Sequence, residues 1–418
     1  MSSQVSDPVG RQSGEELVFD PYDYATQDDP YPIYQRLRDE EPLHHNPEHD
    51  FWVLSRHADV AAALRDDATY SNRMGVSLDQ SAWHPEAHRI MSFLALDGPE
   101  QSRIRSLVSR AFTPRRVKEL IPQVQGLTER YLDAALEQAG PGGELDWITD
   151  LAGKLPMDVI SEMMGVPEVD RDEVRRLSDL LVHREEGVHD VPPAGMEAAM
   201  TLFGYYGDLL ADRRAHPTDD LTSALLQAEV DGDRLDDGEI IAFLFLMVVA
   251  GNETTTKLLG NAVHHLAAHP DQLAAVFADP DELLVPWIEE TLRHDTSSQL
   301  LARHLRADVT LHGRTAPAGS KLLVSLGSAN RDERVFSDPT SYDVHRDKAE
   351  LGQIVSFGGG RHFCLGANLA RLEARIVLAE LVRRAASVEV DAERAVRVHS
   401  TNVRGFAQLP VRVHLRSS

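Results

Sequence analysis

The stretch Phe357-Gly358-Gly359-Gly360-Arg361-His362-Phe363-Cys364-Leu365-Gly366 holds the single cysteine of this 418-residue chain. A lone cysteine forms no intramolecular disulfide, and it supplies neither an iron–sulfur cluster nor a zinc ribbon. Three consecutive glycines let the backbone approach a bound group closely. Arg361 and His362 place positive charge next to the thiol. The surroundings of Cys364 therefore favour chemistry over a purely structural role.

The residues after Cys364 have the periodicity of an amphipathic helix, with apolar side chains at Leu365, Leu369, Leu372, Ile376 and Leu381. A thiol just ahead of a helix N-terminus and next to cations is expected to have a lowered pKa and to be held as thiolate. Such a thiolate is either a nucleophile or a metal ligand. The plain alternative is a buried structural thiol.

Composition limits the classes of protein that this chain can belong to. Its net charge of −25 argues against nonspecific binding to nucleic acid or to an anionic membrane. The start, residues 1–16, has no apolar core of a signal peptide. The longest apolar run, Ile240–Ala250, is about half of what spans a bilayer. We therefore expect a cytoplasmic protein that does not enter the membrane.

The pattern along the chain predicts one mainly α-helical domain with small β-sheets (α+β) over residues 19–418, after a flexible leader at residues 1–18. Asp236 is the expected N-cap of a long helix that reaches His269. Another helix is predicted over Asp150–Met164, and a further one after Pro286. Residues 70–93 are expected to form a long loop. The predicted strands include 308–311, 321–325, 387–390, 395–398 and 411–415.

The long helix carries the segment Ala250-Gly251-Asn252-Glu253-Thr254-Thr255 in its middle. A glycine, an acid and several hydroxyls contradict helix propensity in an apolar setting, and such departures tend to mark functional sites. The glycine is expected to leave room for a flat ligand, and the hydroxyls can present a donor. The alternative is a polar stripe that faces water.

Three further charged motifs are present, and the first of them has both a plain and a functional interpretation. Residues 101–118 contain arginines and lysine but no acid, which indicates a solvated helix face or a site for anionic groups or an acidic partner. Glu290 and Arg293 lie on one helical face, where most such pairs are surface ion pairs. His265 and His269 are interpreted as cations at a helix C-terminus.

Together these motifs resemble the cytochrome P-450 superfamily in its soluble bacterial form. The family's haem-ligand signature, F-G-x-G-x-H-x-C-x-G, is matched by Phe357, Gly358, Gly360, His362, Cys364 and Gly366. The segment Ala250–Thr255 is similar to the family's oxygen-activation segment. Glu290, Arg293 and Arg346 fit its buried acid–arginine set. The order and spacing of these motifs agree over nearly the whole chain.

The resemblance implies the P-450 fold, with its long central helix over haem b, and O2 as co-substrate. Cys364 would be the axial metal ligand, and Glu253 and Thr254 the catalytic proton relay. The remaining cofactor contacts implied by the resemblance are Gln101, Arg105, Arg303 and His362 at the propionates, together with Ala250, Gly251, Phe357 and Gly358.

The implied activity is that of a monooxygenase that takes electrons from a separate ferredoxin and ferredoxin reductase. Residues 101–118, called the basic tract, would together with Arg371 and Arg375 offer a face to the acidic ferredoxin. The substrate would be an apolar to mid-polar natural product, such as a polyketide, terpenoid, steroid or peptide-derived molecule, that is hydroxylated or epoxidised. Polar residues within Leu181–Met200 are expected in the pocket wall. The alternatives are a peroxide-driven peroxygenase and a non-catalytic haem- or ligand-binding homologue.

Overall fold

The computed structural model describes residues 17–140, 142–185, 188–230 and 232–416, except for the side chains at 110, 111 and 114. Residues 1–16 of the predicted leader lie outside this range. Leu17 is already buried and packs in a cluster with Phe19, Tyr34 and Phe51. The packed part of the chain therefore begins before residue 19.

Helices account for most of the regular structure in the described part. In chain order they are α1 Tyr24–Asp28, α2 Tyr31–Glu40, α3 His57–Ala63, α4 His88–Met91, α5 Gly98–Val108, α6 Pro114–Glu119, α7 Ile121–Ala139, α8 Leu155–Met164, α9 Arg171–Val182, α10 Pro193–Ala215, α11 Leu221–Gln227, α12 Asp237–Ala267, α13 Pro270–Ala278, α14 Pro280–His294, α15 Leu326–Ala329, α16 Lys348–Leu351 and α17 Ala367–Arg384. A π-helical turn, Ile148–Ala152, precedes α8.

The strands are short and form small sheets. They are β1 Leu43–Asn46, β2 Phe51–Leu54, β3 Tyr70–Ser71, β4 Glu144–Asp146, β5 Glu229–Val230, β6 Asp233–Arg234, β7 Leu300–Leu305, β8 Val309–Leu311, β9 Arg314–Ala316, β10 Lys321–Ser325, β11 Ala385–Val390, β12 Val396–Arg397, β13 Phe406–Gln408 and β14 Pro410–Leu415. The largest sheet has the order β1-β2-β10-β7-β3, with β2 and β10 parallel and the other pairs antiparallel. The predicted mainly α class with small sheets is confirmed.

Helix α12 is the central element of the fold. Asp236 caps it as predicted, because its carboxylate accepts from the Glu239 N–H while the Glu239 side chain accepts from the Asp236 N–H. Trp147 and Trp287 are fully buried against it and donate to the carbonyls of Leu259 and Ala262 at 3.1 and 3.0 Å. Of the described helices, α12 alone is long and apolar enough to span a membrane, and 61% of its most apolar window is buried in the protein, as expected of a core helix.

Two of the predicted helices and one predicted loop are wrong in detail. Pro286 lies inside α14, which begins at Pro280 and not after Pro286. The segment Asp150–Met164 is not one helix, since the π-helical turn and residues 153–154 separate Asp150 from α8. The predicted loop at residues 70–93 contains β3 and α4. Local propensity did not reveal these features because packing against neighbouring elements decides them.

His265, interpreted from the sequence as a cation at a helix end, belongs to a buried network around Asp295. The Asp295 carboxylate accepts from His265 Nε2 at 2.9 Å, from Arg404 Nε at 2.8 Å and from the Tyr31 hydroxyl at 2.5 Å. Burial lowers the pKa of His265, although Asp295 opposes this shift. His265 is therefore a buried hydrogen-bond partner of Asp295 and not a free cation at the helix end. The other histidine of the motif, His269, donates from Nδ1 to the His265 carbonyl at 2.7 Å.

Candidate active site

The cysteine loop, residues 357–366, is a tight turn that ends where α17 begins. The Cys364 N–H donates to the Phe357 carbonyl at 2.9 Å, which closes the loop on itself. Gly358 and Gly360 have φ of 71° and 59°, a region that side chains other than glycine rarely enter. A Cβ on Gly360 would lie 2.7 Å from the Leu64 carbonyl oxygen. The glycines thus allow the loop to pack closely on the end of α3.

Gly360→Ala is expected to destabilise the protein by about 2 kcal/mol, since it adds both a strained φ and a backbone clash. The measurement is urea denaturation followed by tryptophan fluorescence. Gly359→Ala is the matched control, because Gly359 has φ of −163° and its Cβ would meet only the Leu64 side chain, at 3.3 Å. Equal stability of the two variants would contradict this account of the loop.

The Cys364 side chain is exposed where it faces a cavity, and protein surrounds the thiol on its other sides. Burial raises the pKa of this thiol, and the N–H groups of Gly366 and Ala367 and the charges of Arg105 and Arg371 only partly offset that effect. The prediction of a lowered pKa for Cys364 is therefore wrong, because the surrounding protein raises this pKa. The helix N-terminus and the cations favour the thiolate, but desolvation outweighs them.

Helix α5 holds the cysteine loop from one side. Gln101 Nε2 and Arg105 Nη1 both donate to the Arg361 carbonyl, at 2.9 and 3.0 Å. Arg105 Nη2 donates to the Phe363 carbonyl at 2.6 Å. Arg105 also lines the cavity, whereas Gln101 is not among the lining residues. Gln101 thus contacts the backbone of the cysteine loop. It does not line the cavity, although the resemblance implied that it contacts a propionate there.

The cavity in front of Cys364, called here the first cavity, has a volume of about 290 Å³. It lies between the cysteine loop, α12 and the start of β7. Of the residues singled out from the sequence, it brings together Arg105, Ala250, Gly251, Glu253, Thr254, Arg303, Phe357, Gly358, His362 and Cys364. Residues from four separate segments of the chain thus line one cavity.

Polar side chains at one end of the first cavity lack anionic partners. Both ring nitrogens of His362 are buried without a hydrogen-bond partner among the described residues. Arg303 is 3% exposed and donates to the Ala302 carbonyl. Burial lowers the pKa of Arg303 to about 10 and that of His362 to about 4. Buried donors of this kind require carboxylates or similar acceptors, so the residues present fit a haem, whose propionates these side chains would bind and whose iron Cys364 would bind.

The segment Ala250–Thr255 remains helical within α12. The Thr254 hydroxyl donates to the Ala250 carbonyl at 2.9 Å. Gly251 lines the first cavity, but a Cβ on it would meet Ile160 of α8 at 3.2 Å. The space that this glycine leaves on its Cβ side is therefore taken by α8, and not by a flat ligand as expected.

Glu290, Arg293 and Arg346 form an ion-pair network in the interior. Arg293 donates twice to Glu290, at 2.7 and 2.8 Å, and Arg346 Nε donates to Glu290 at 2.9 Å. The side chains of Glu290 and Arg293 are both 0% exposed. Arg293 also donates to the carbonyls of Asn330, Pro339 and Ser341. The network joins α14 to the chain that leads into the cysteine loop, and the surface interpretation of this pair is wrong.

The basic tract is partly neutralised within the protein. Arg103 forms ion pairs with Asp233 and Glu239 at 2.5 Å, and Arg371 pairs with Glu289 at 2.6 Å. Burial and these bonds leave fewer free cations than the run of basic residues in 101–118 indicated. Arg116, Lys118 and Arg375 remain exposed.

The remaining walls of the first cavity are mostly apolar. The side chains on these walls include Val76, Met91, Phe93, Val182, Phe243, Leu246, Met247, Val249, Leu301, Asn402 and Val403. From Leu181–Met200 only Val182 contributes, so the expected polar wall is wrong for the described residues.

The polar side chains of that segment instead fasten the loop after α9. Arg184 pairs with Asp79 at 2.7 Å, and both side chains are buried. Ser81 donates to Asp190 at 2.6 Å. These bonds connect the loop after β3 to the loop after α9, and we call them the loop latch.

Sequence reasoning did not find three groups around the site. Glu373 of α17 is 1% exposed and lines the first cavity, and its Oε1 has no hydrogen-bond partner among the residues that the structure describes. Burial raises the pKa of Glu373 to about 8. A signal was present, because Glu373 lies four residues after Leu369 and four before Val377, on the buried face of the helix. Lys257 Nζ lies 2.9 Å from Glu253 Oε2, and burial and the charge of Glu253 raise the pKa of Asp179 to about 7. No pattern in the sequence linked α9 to the middle of α12.

Comparisons with known proteins agree on one family. Residues 196–415 match the family model "Cytochrome P450". The chain is 56% identical over 417 residues, covering all of both chains, to "Putative cytochrome P450 123" of Mycobacterium tuberculosis strain H37Rv. It is similar to the solved structure of CYP109Q5 from Chondromyces apiculatus, with a TM-score of 0.84, 33% identity and coverage of 96% and 99%. It is also similar to CYP109E1 from Bacillus megaterium in complex with corticosterone, with a TM-score of 0.80, 31% identity and coverage of 93% and 99%.

Proposed function

Since this chain belongs to the cytochrome P450 family, whose members are monooxygenases that bind haem b through a thiolate and use O2, we propose that the Cys364 thiolate would bind the haem iron and that the first cavity is the active site. The observation that carries the assignment is the convergence of the Cys364 thiol with the unpartnered His362 and the buried Arg303 in one cavity. In this assignment Arg105, Arg303 and His362 bind the propionates, and Phe357, Gly358, Ala250 and Gly251 pack against the cofactor.

When bound, the haem supplies reductive activation of O2 and the transfer of one oxygen atom to the substrate. The chain's own residues supply protons and exclude water. The Thr254 hydroxyl, now donating to the Ala250 carbonyl, can rotate to donate into the first cavity. The Glu253 carboxyl lies on the same wall and renews that proton. The apolar side chains around the first cavity exclude bulk water from the reacting atoms.

The substrate that the walls support best is a rigid apolar molecule of steroid or polyketide type. Phe93, Phe243, Leu246, Leu301 and Val403 provide apolar contact, and Asn402 offers an amide for one or two polar groups. A relative with this fold was solved with corticosterone bound. Titration of the haem-loaded enzyme with corticosterone should give a saturable shift of the haem absorption band. No shift with any steroid or macrolactone would contradict the substrate class.

Electrons are proposed to come from a ferredoxin and its reductase as separate proteins in the cytoplasm. The exposed Arg116, Lys118 and Arg375 support an acidic partner, whereas Arg103 and Arg371 are paired with acids of the chain itself. Substrate-dependent NADH oxidation with a surrogate ferredoxin and reductase tests the monooxygenase. Turnover with hydrogen peroxide alone would favour the peroxygenase, and ligand binding with neither turnover would favour a non-catalytic homologue. Glu253 and Thr254 favour the first, because a peroxygenase needs no proton relay.

Thr254→Ala is expected to leave haem binding intact and to divert most of the reducing equivalents to hydrogen peroxide, since the proton donor on the cavity wall is lost. The ratio of product to NADH consumed should fall by about tenfold, a smaller loss than the roughly 10²–10⁴-fold that one proton-transfer group contributes to a rate. Thr254→Ser keeps the hydroxyl and should retain coupling. Full coupling in the alanine variant would exclude this role for Thr254.

A further inference from the structure

Two short irregular segments together form one wall of the first cavity. Residues 296–298 lie between α14 and β7, and residues 402–403 lie between β12 and β13. An antiparallel β-bridge between Ser298 and Val403 joins the two segments. All five of these residues line the first cavity. We call the two segments, 296–298 and 402–403, the paired wall.

The paired wall carries polar groups in a cavity whose other walls are mostly apolar. Thr296, Ser297 and Ser298 have hydroxyls, and Asn402 has an amide. The Ser297 side chain is buried, and its hydroxyl has no hydrogen-bond partner among the residues that the structure describes. A buried hydroxyl without a partner costs free energy, which a polar group of a ligand can offset. The position of the paired wall therefore governs how the first cavity can hydrogen-bond a substrate.

Asp295 immediately precedes the paired wall in the chain and does not itself line the first cavity. It is 1% exposed, and its carboxylate bonds to Tyr31 of α2, to His265 of α12 and to Arg404. Arg404 immediately follows the second segment of the wall, and its N–H donates to the Ser297 carbonyl at 2.8 Å. The Asp295–Arg404 ion pair therefore joins the two segments of the paired wall outside the cavity.

Asn261 of α12 connects the same two residues through their backbones. Its side chain is fully buried, and Nδ2 donates to the Asp295 and Arg404 carbonyls at 2.9 and 3.3 Å. Burial raises the pKa of Asp295, but the Arg404 charge and the His265 hydrogen bond outweigh it and hold this pKa well below its ordinary value. The Arg404 side chain is 7% exposed, so loss of the Asp295 charge would leave a buried cation without its partner.

We propose that Asp295 is a specificity-determining residue of the monooxygenase, because its carboxylate, through Arg404, holds the two segments of the paired wall in one position. The Ser297 hydroxyl and the Asn402 amide then present one arrangement of polar groups to a substrate. A binding site needs its contact groups held to within about 0.5 Å by hydrogen-bonded neighbours, and irregular segments have no ladder of their own for this. Asp295 acts through the wall and is a positioning residue. The inference rests on the proposed function.

Two haem-binding azoles of different size test the position of the paired wall without turnover. Asp295→Asn keeps the shape of the side chain but removes its charge, so that Arg404 loses its ion pair. In the haem-loaded variant the dissociation constant of 4-phenylimidazole should rise about tenfold, because its phenyl ring must fit between the walls. That of imidazole, which has no such ring, should change by less than about twofold. Spectral titration gives both constants. An unchanged ratio of the two constants would overturn the proposal.

Asp158→Asn is the matched control. Asp158 is also buried, and it likewise accepts from a tyrosine hydroxyl, that of Tyr131, and pairs with an arginine, Arg175, at 3.2 Å. None of these three residues lines the first cavity. The control should lose a comparable amount of stability in urea denaturation and keep the wild-type ratio of the two constants. The same change of ratio in both variants would mean general loosening of the protein and would refute the role of Asp295.

Tyr31→Phe decides the matter if Asp295→Asn does not fold. It removes one hydrogen bond to Asp295 and keeps the ion pair with Arg404, so it should shift the ratio of the two constants in the same direction by a smaller factor. If Tyr31→Phe were the only variant to load haem and its ratio equalled that of the wild type, the proposal would fail.

The distribution of products tests specificity directly. With corticosterone, Asp295→Asn should lower the ratio of main to minor products by about tenfold, whereas Asp158→Asn should keep the wild-type distribution. An unaltered distribution in Asp295→Asn would exclude a role in specificity. If the haem-loaded wild type bound neither azole and oxidised no substrate, the proposed function and this inference would both fail. A wild type that binds both azoles upholds the haem site, and the ratio in Asp295→Asn then decides the paired wall alone.

Discussion

Replacing Cys364 by alanine is expected to abolish the red-shifted carbon monoxide difference band of the reduced, haem-loaded protein. The band depends on a thiolate opposite the carbon monoxide, and Cys364 is the only cysteine in the chain, so no other thiolate can replace it. Monooxygenase turnover should be lost with it. The measurement is the difference spectrum of the dithionite-reduced protein with and without carbon monoxide.

Cys364→His separates loss of the thiolate from loss of the cofactor. Histidine is a haem ligand in other proteins, so this variant should hold haem and bind carbon monoxide but show the band at the position of an imidazole-ligated haem. The far-ultraviolet circular dichroism of both variants checks that the fold is retained. A red-shifted band in Cys364→Ala would rule out Cys364 as the ligand.

Arg293→Ala is expected to lower the free energy of unfolding by about 3–5 kcal/mol, because it leaves the fully buried Glu290 carboxylate without its bidentate partner. A loss of this size is a large part of the total stability of an ordinary domain, which is about 5–15 kcal/mol. The haem-loaded yield should fall with it, since the network leads into the cysteine loop. Chemical denaturation of the purified protein gives the value.

Arg383→Ala is the matched control for this variant. Arg383 also pairs with a glutamate three residues earlier on a helix, Glu380, but its side chain is 65% exposed. Its removal should cost only a small fraction of the loss at Arg293. If Arg293→Ala does not fold, Arg293→Lys keeps the charge without the fork and should show an intermediate stability. Equal stability of Arg293→Ala and Arg383→Ala would show that burial does not govern the effect.

The cysteine loop and the central helix could be predicted from sequence because their signals are local. The glycines and Cys364 lie within ten consecutive residues, and the N-cap of α12 depends on Asp236 and Glu239 alone. The apolar periodicity of α17 likewise depends only on neighbouring residues. The structure agrees with these local predictions because tertiary contacts do not oppose the local preferences.

Features that depend on distant segments could not be predicted in the same way. The direction of the Cys364 pKa depends on how much protein surrounds the thiol, and a sequence does not give that burial. Gly251 was expected to leave room for a ligand. The side chain of Ile160, about ninety residues earlier in the chain, instead occupies the space on the Cβ side of Gly251. The charge of Glu253 reaches Asp179 only because α9 packs on α12. In each case the deciding partner is far away along the chain.

The loop latch has a kinetic consequence that equilibrium binding would not reveal. The Arg184–Asp79 ion pair joins two loops beside the first cavity, and both of its side chains are buried. Where a molecule enters and leaves between these loops, the same pair must open in both directions. A stronger or weaker latch then changes the association and dissociation rates by the same factor, so the residence time of a ligand can change while its dissociation constant stays constant.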